Sequence, residues 1–122
     1  MRYVLTINNA EPAEGEIPAD AIAQMEQAFD VYAKALASAG VFVAAEILQP
    51  VAATTTVTRR DGELRVQDGP FADTKEVLAG VFVIDVPDLD AALAWAEKCP
   101  ATQYAVIEVR ASAITAIDGV WQ

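Results

Sequence analysis

Ile22, Met25, Phe29, Tyr32 and Leu36 are spaced alternately by three and four residues, which stacks them on one face of a helix. Gln24, Glu26, Gln27, Asp30 and Lys34 fall mostly on the other face. Pro18 and Asp20 suit the first turn, and Gly40 suits the position just past the end, where a positive φ costs glycine little. A Met and aromatic stripe at this spacing reads as core, so Met25, Phe29 and Tyr32 are given no cofactor role. Before the helix, Arg2 to Ile7 is apolar and β-branched enough for a strand, and the Pro- and Glu-containing run from Asn8 to Pro18 reads as a loop.

Beyond Gly40, Val41 to Leu48 is a short apolar strand interrupted by Glu46 and ended by Gln49 and Pro50. Two polar-apolar alternating segments then flank Asp61-Gly62, a strong signal for a two-residue hairpin. With Arg60 opposite Glu63, Val57 meets Val66 and Arg59 meets Leu64 on one face, while Thr58 meets Arg65 and Thr56 meets Gln67 on the other. Leu78 to Val86 is a near-continuous apolar run, the pattern of a strand covered on both faces. Asp88 suits the cap of a second helix with Leu89, Ala92, Leu93 and Ala96 as its inner stripe and Lys98 and Pro100 at its end; Gln103 to Arg110 is a last strand.

This order predicts an α+β fold, a ferredoxin-like βαββαβ unit with an inserted hairpin. One domain is expected over residues 1–111, followed by a C-terminal extension, 112–122. Two helices can cover only one face of such a sheet, yet Val81 and Val83 point one way and Phe82 and Ile84 the other. A second copy packed sheet to sheet is the expected cover, giving a homodimer that buries on the order of 800 Å² per subunit.

Composition narrows the function classes. A 54% hydrophobic content in 122 residues is ample for one packed core, which argues against disorder. The formal charge of −10, from 18 acidic against 8 basic residues, opposes binding to nucleic acid or anionic membrane. The apolar run at Met1 to Ile7 is too short for a signal peptide and is followed by Glu11, Glu14 and Glu16, so a cytoplasmic location is expected. Cys99 is the only cysteine, which excludes an intrachain disulfide and reads as a packing residue. Because there is no histidine, neither a Ser-His-Asp nor a Cys-His nucleophile system can be built, nor a histidine-rich metal site. Acid-base chemistry would have to use Asp, Glu, Lys or Tyr, and no cofactor is implied.

The most specific stretch is Asp68-Gly69-Pro70-Phe71-Ala72-Asp73-Thr74-Lys75-Glu76. It resembles the signature of the DGPF branch of the YCII-related family, and the segments Gly40 to Pro50 and Asp85 to Ala96 are similar to that branch's other recurrent stretches. The resemblance implies a dimeric α/β barrel and no established activity. Some members of the wider family carry a His-Asp pair proposed to be catalytic, which this chain lacks. The family's frequent genomic company with extracytoplasmic-function sigma factors implies a regulatory alternative. Ala111 stands where the family commonly has Pro, and residues 112–122 run past its usual end.

Within the signature, Asp68 is expected to accept backbone hydrogen bonds in an Asx-type turn and Phe71 to anchor the loop on the core. Lys75 and Glu76 read as a solvated pair or as cleft residues. Glu46 is the sharper anomaly, since a carboxylate inside an apolar strand is costly to bury unless Arg59, Arg65, Lys75 or Arg110 pairs with it. The candidate ligand-binding set is therefore Glu46, Asp68, Phe71, Lys75 and Glu76, lining a polar cleft at the dimer for a small polar metabolite. A non-catalytic interaction or regulatory module is the competing class. No catalytic or metal-binding residues are assigned, because Asp85, Asp88 and Asp90 are explained by strand exit and by the N-terminus of a helix.

Overall fold

Alternation along the first strand sets the layering. In the computed structural model, which describes residues 1–122, β1 (Arg2–Asn9) buries Tyr3, Leu5 and Ile7 and leaves Arg2, Val4 and Thr6 half-covered. The chain continues through α1 (Ala19–Ser38), β2 (Phe42–Ile47), β3 (Thr55–Arg60), β4 (Glu63–Asp68), β5 (Val77–Asp85), α2 (Leu89–Glu97) and β6 (Val106–Ala111) to a short terminal pair, β7 (Ala116–Ile117) and β8 (Val120–Trp121). Three-residue-per-turn segments at Val51–Ala53 and Pro100–Gln103 fill two connections. The sheet order is β2-β5-β1-β6, with every neighbour antiparallel. That is the ferredoxin-like α+β arrangement with β3 and β4 inserted between its halves.

Local chemistry fixes the element ends. Gly40 has φ +74°, its N–H donates to the Ala37 carbonyl and the Val41 N–H to the Leu36 carbonyl, the two bonds of a Schellman stop. Asp88 accepts from the Ala91 N–H at 2.9 Å and caps α2. In the inserted hairpin Asp61 and Gly62 both take positive φ, and all five expected cross-strand pairs from Thr56–Gln67 to Arg60–Glu63 are present.

The core lies between the helices and one sheet face, where Leu5, Leu36, Ile84 and Cys99 are the largest sealed side chains. The inner stripe of α2 is Ala92, Trp95 and Ala96, continued by Cys99. Leu89 and Leu93, expected inside, are exposed instead, because small residues let the helix sit close to the sheet while Trp95 packs edge-on against Tyr32. On β5, Phe82 and Ile84 are sealed by this layer, whereas Val81 and Val83 on the opposite face stay half-exposed in the subunit. Neither hairpin makes more than marginal contact with the other elements.

Candidate functional site

The first half of α1 stands away from the sheet. Tyr32 and Leu36 are sealed, and the Tyr32 hydroxyl donates to the Trp95 carbonyl at 2.8 Å, with burial and then the nearby Cys99 pushing its phenol well above the usual range. One turn earlier, Phe29 stacks on Phe82 with ring centroids 6.3 Å apart and closes the end of the core. Beyond Phe29 the stripe continues as Met25 and Ile22, but these two line an open cleft of about 880 Å³. The sheet contributes Ile7, Ile47 and Ala79 to it, and the loop after β1 contributes Pro12, Ile17 and Pro18. The helical period is thus continuous, while its role changes from core to cleft wall.

That loop is held at both ends. The Glu16 carboxylate accepts from the Ala13 N–H and the Glu16 N–H donates to the Ala13 carbonyl, closing a turn, while the Glu11 carboxylate accepts from the Val51 N–H at 3.0 Å. Polar groups at the cleft are few: Asn9, Glu16, Glu26 and Tyr104. Asn9 donates to the Ala10 carbonyl, but its Oδ1 is buried without a partner. Burial, then proximity to Cys99, raises the Tyr104 phenol further above neutrality. An apolar cleft of this size with a few directed polar groups has the make-up of a small-molecule site.

A second, smaller hollow of about 400 Å³ lies on the open sheet face, lined by Val4, Thr6, Asn8, Leu78, Glu108, Arg110 and Ala111. The Asn8 amide donates to Thr6 Oγ1 at 3.3 Å and to Glu108 Oε1 at 3.4 Å. Glu46 stands on the same face, in the cross-strand row Glu46–Val81–Thr6–Glu108.

The five residues singled out from sequence are all exposed, four of them in the stretch from Asp68 to Glu76 and Glu46 on β2. Glu46 is exposed rather than buried and makes no ion pair with Arg59, Arg65, Lys75 or Arg110; the strand exposes it because the helices cover only the other face. Asp68 ends β4 opposite Thr55, and its carboxylate makes no turn hydrogen bond. The turn is closed instead by the Thr56 hydroxyl, which donates to the Gly69 carbonyl at 2.7 Å, and by the Gly69 N–H donating to the Thr54 carbonyl. Phe71 is 80% exposed and anchors nothing in its own subunit. Lys75 and Glu76 are exposed, with the Thr74 hydroxyl donating to the Glu76 carbonyl. No hydrogen bond or ion pair joins any two of the five, and none lines either hollow. Sequence reasoning missed the cleft under α1 because a helix stripe has the same period whether it faces packed side chains or an open hollow.

No helix is long and apolar enough to cross a membrane. A 49-residue stretch is 49% identical to an uncharacterized protein of Rhizobium meliloti (strain 1021), covering 40% of each chain. Less than half of that relative's length is thus matched by this chain. Residues 1–113 match the YCII-related domain, which takes in both helices, the whole four-stranded sheet and the cleft, and the chain therefore belongs to the YCII-related family.

Proposed function

We propose that the protein is a small-molecule-binding protein that works as a homodimer, with its ligand held in the cleft beneath the first half of α1. The observation that carries this reading is the cleft itself, about 880 Å³ with apolar walls on three sides and a loop tied down by Glu11 and Glu16. A dimer is supported by the surface the subunit leaves uncovered. It exposes 8612 Å², whereas a compact monomer of 13.0 kDa exposes about 6,300 Å². Exposed apolar residues stand on both hairpins, Val57, Val66 and Trp121 among them, and Val81 and Val83 on the open sheet face are only partly covered. Isolated two-stranded hairpins are marginal in water, so cover from a second copy fits both features.

A thermal-shift screen of metabolites, run alongside light scattering, tests the proposal. Compounds that raise the melting temperature should lose their effect in Ile22→Trp, which fills the cleft from the helix side. The scattering mass should be about twice 13.0 kDa. A monomer would remove the dimer, and binding that survives Ile22→Trp would remove the cleft as its site.

A second reading, a non-catalytic interaction module, is favoured by the exposed ring of Phe71 in the signature turn. In that reading Glu46, Asp68, Phe71, Lys75 and Glu76 belong to a contact surface and not to a ligand pocket. The screen separates the two. Stabilising compounds that Ile22→Trp abolishes support the first reading, and a well-folded dimer that no compound stabilises supports the second.

A further inference from the structure

We infer that the cleft beneath α1 selects an organic cation, a molecule with an apolar body and a protonated amine, and discriminates against carboxylates and phosphates. This rests on the reading of that cleft as the ligand site. The walls supply apolar contact from Ile22, Met25 and Phe29, so a small hydrophilic cation, whether ammonium itself or a metal ion, would leave them unfilled.

The charge around the opening has one sign. Glu26 and Glu16 line the cleft, and no lysine or arginine does. From Tyr3 to Ala33 the chain carries Glu11, Glu14, Glu16, Asp20, Glu26 and Asp30 without a single basic residue. An entering anion would therefore meet like charge with no countercharge, whereas a cation would be drawn in.

The hydrogen-bonding groups point the same way. The Glu26 carboxylate makes neither an ion pair nor a hydrogen bond, in contrast to Asp30, which is held by Lys34 at 2.8 Å. Glu16 uses one oxygen on the Ala13 N–H and leaves the other free. Asn9 Oδ1 also lacks a donor but is sealed from solvent, so the acceptors open to a ligand are the two carboxylates. Against these acceptors the cleft offers one side-chain hydroxyl, that of Tyr104. The shortage is of donors, and an ammonium group brings donors and positive charge together.

Three ligands that share one alkyl chain isolate the head group: octylamine, octanol and octanoate, titrated calorimetrically into the full-length protein at pH 7 and low salt. Octylamine should bind about tenfold more tightly than octanol, with octanoate weakest. Glu26→Gln should lower octylamine affinity by about threefold to tenfold and octanol affinity by no more than about twofold, in keeping with a partly exposed ion pair. A far-UV circular dichroism melt matching the parent certifies that the variant is folded; Glu16→Gln provides a second site for the same comparison. Equal affinity for amine and alcohol, or preference for octanoate, overturns the cation selection but leaves the cleft standing. Amine binding that persists in Ile22→Trp marks general attraction to an acidic surface and overturns the inference. Failure of all three ligands to bind overturns it together with the cleft reading.

Discussion

Gly80 sits in the middle of β5, between Ile7 on β1 and Ile47 on β2, and is itself buried. A Cβ added there would lie 2.9 Å from the Glu46 carbonyl oxygen and 2.9 Å from the Ile47 Cδ1. The Ile47 methyl can swing aside, since that side chain is largely exposed. The carbonyl oxygen is backbone, and moving it by about 0.5 Å to reach the 3.4 Å of ordinary contact shifts the end of β2 against β5. Overpacking of this kind costs about 1–3 kcal/mol, while alanine recovers about 0.4–1 kcal/mol by restricting the unfolded chain. Gly80→Ala is therefore expected to destabilise the protein by about 1–2 kcal/mol, lowering the urea midpoint by about 0.5–1 M at fixed protein concentration. Removing the flexible part of the clash with Ile47→Ala in the same chain should restore only a fraction, because the carbonyl contact remains. A midpoint for Gly80→Ala at or above that of the parent would refute the reasoning and mean that β2 yields freely at this end.

Asp88→Ala removes the only side-chain cap on either long helix and should cost about 1 kcal/mol in a urea melt, with Asp88→Asn costing less. Asp68→Ala should stay within about 0.5 kcal/mol of the parent, because its carboxylate makes no hydrogen bond in the subunit; a larger loss would reveal a partner supplied by a second copy. Burial raises the Tyr32 phenol and the Cys99 thiol, so the folded state holds protons that the unfolded chain releases. Stability should be level between about pH 6 and pH 8 and fall as pH climbs past about 9, read as urea midpoints across that range. An unchanged midpoint at pH 10 would contradict it.

Much of the fold was legible because short-range signals agreed with one another. The Asp61-Gly62 turn set the hairpin register pair by pair, Gly40 stopped α1, and Asp88 started α2. Side-chain destinations were harder to read where a residue's surroundings come from distant parts of the chain. Leu89 and Leu93 fit a helical stripe as well as Ala92 and Ala96 do, and only the closeness of the sheet selects the smaller pair. Glu46 looked anomalous because its strand is apolar, but β2 is an edge strand whose outward face stays wet in the subunit. Thr56 took the turn-closing role expected of Asp68 because hairpin pairing carries its hydroxyl to the Gly69 carbonyl. The cleft under α1 needed three segments, the β1–α1 loop, the helix and the sheet, none of which announces a hollow alone.

The placement of β1 beside β5 governs how the chain can fold as it is made. Arg2 pairs with Asp85 and Leu5 with Phe82, so the two central strands of the sheet are separated in sequence by α1, β2 and the inserted hairpin in full. Helix α1 and the β3–β4 hairpin are built from near neighbours and can form while the chain is still being synthesised. The first strand, by contrast, has no partner in the sheet until β5 has left the ribosome, because its other neighbour, β6, emerges later still. Closing so long a loop raises the entropic barrier to the central pairing and slows it. During that interval Tyr3, Leu5 and Ile7 form an uncovered apolar edge, the segment of the nascent chain with most to gain from a chaperone.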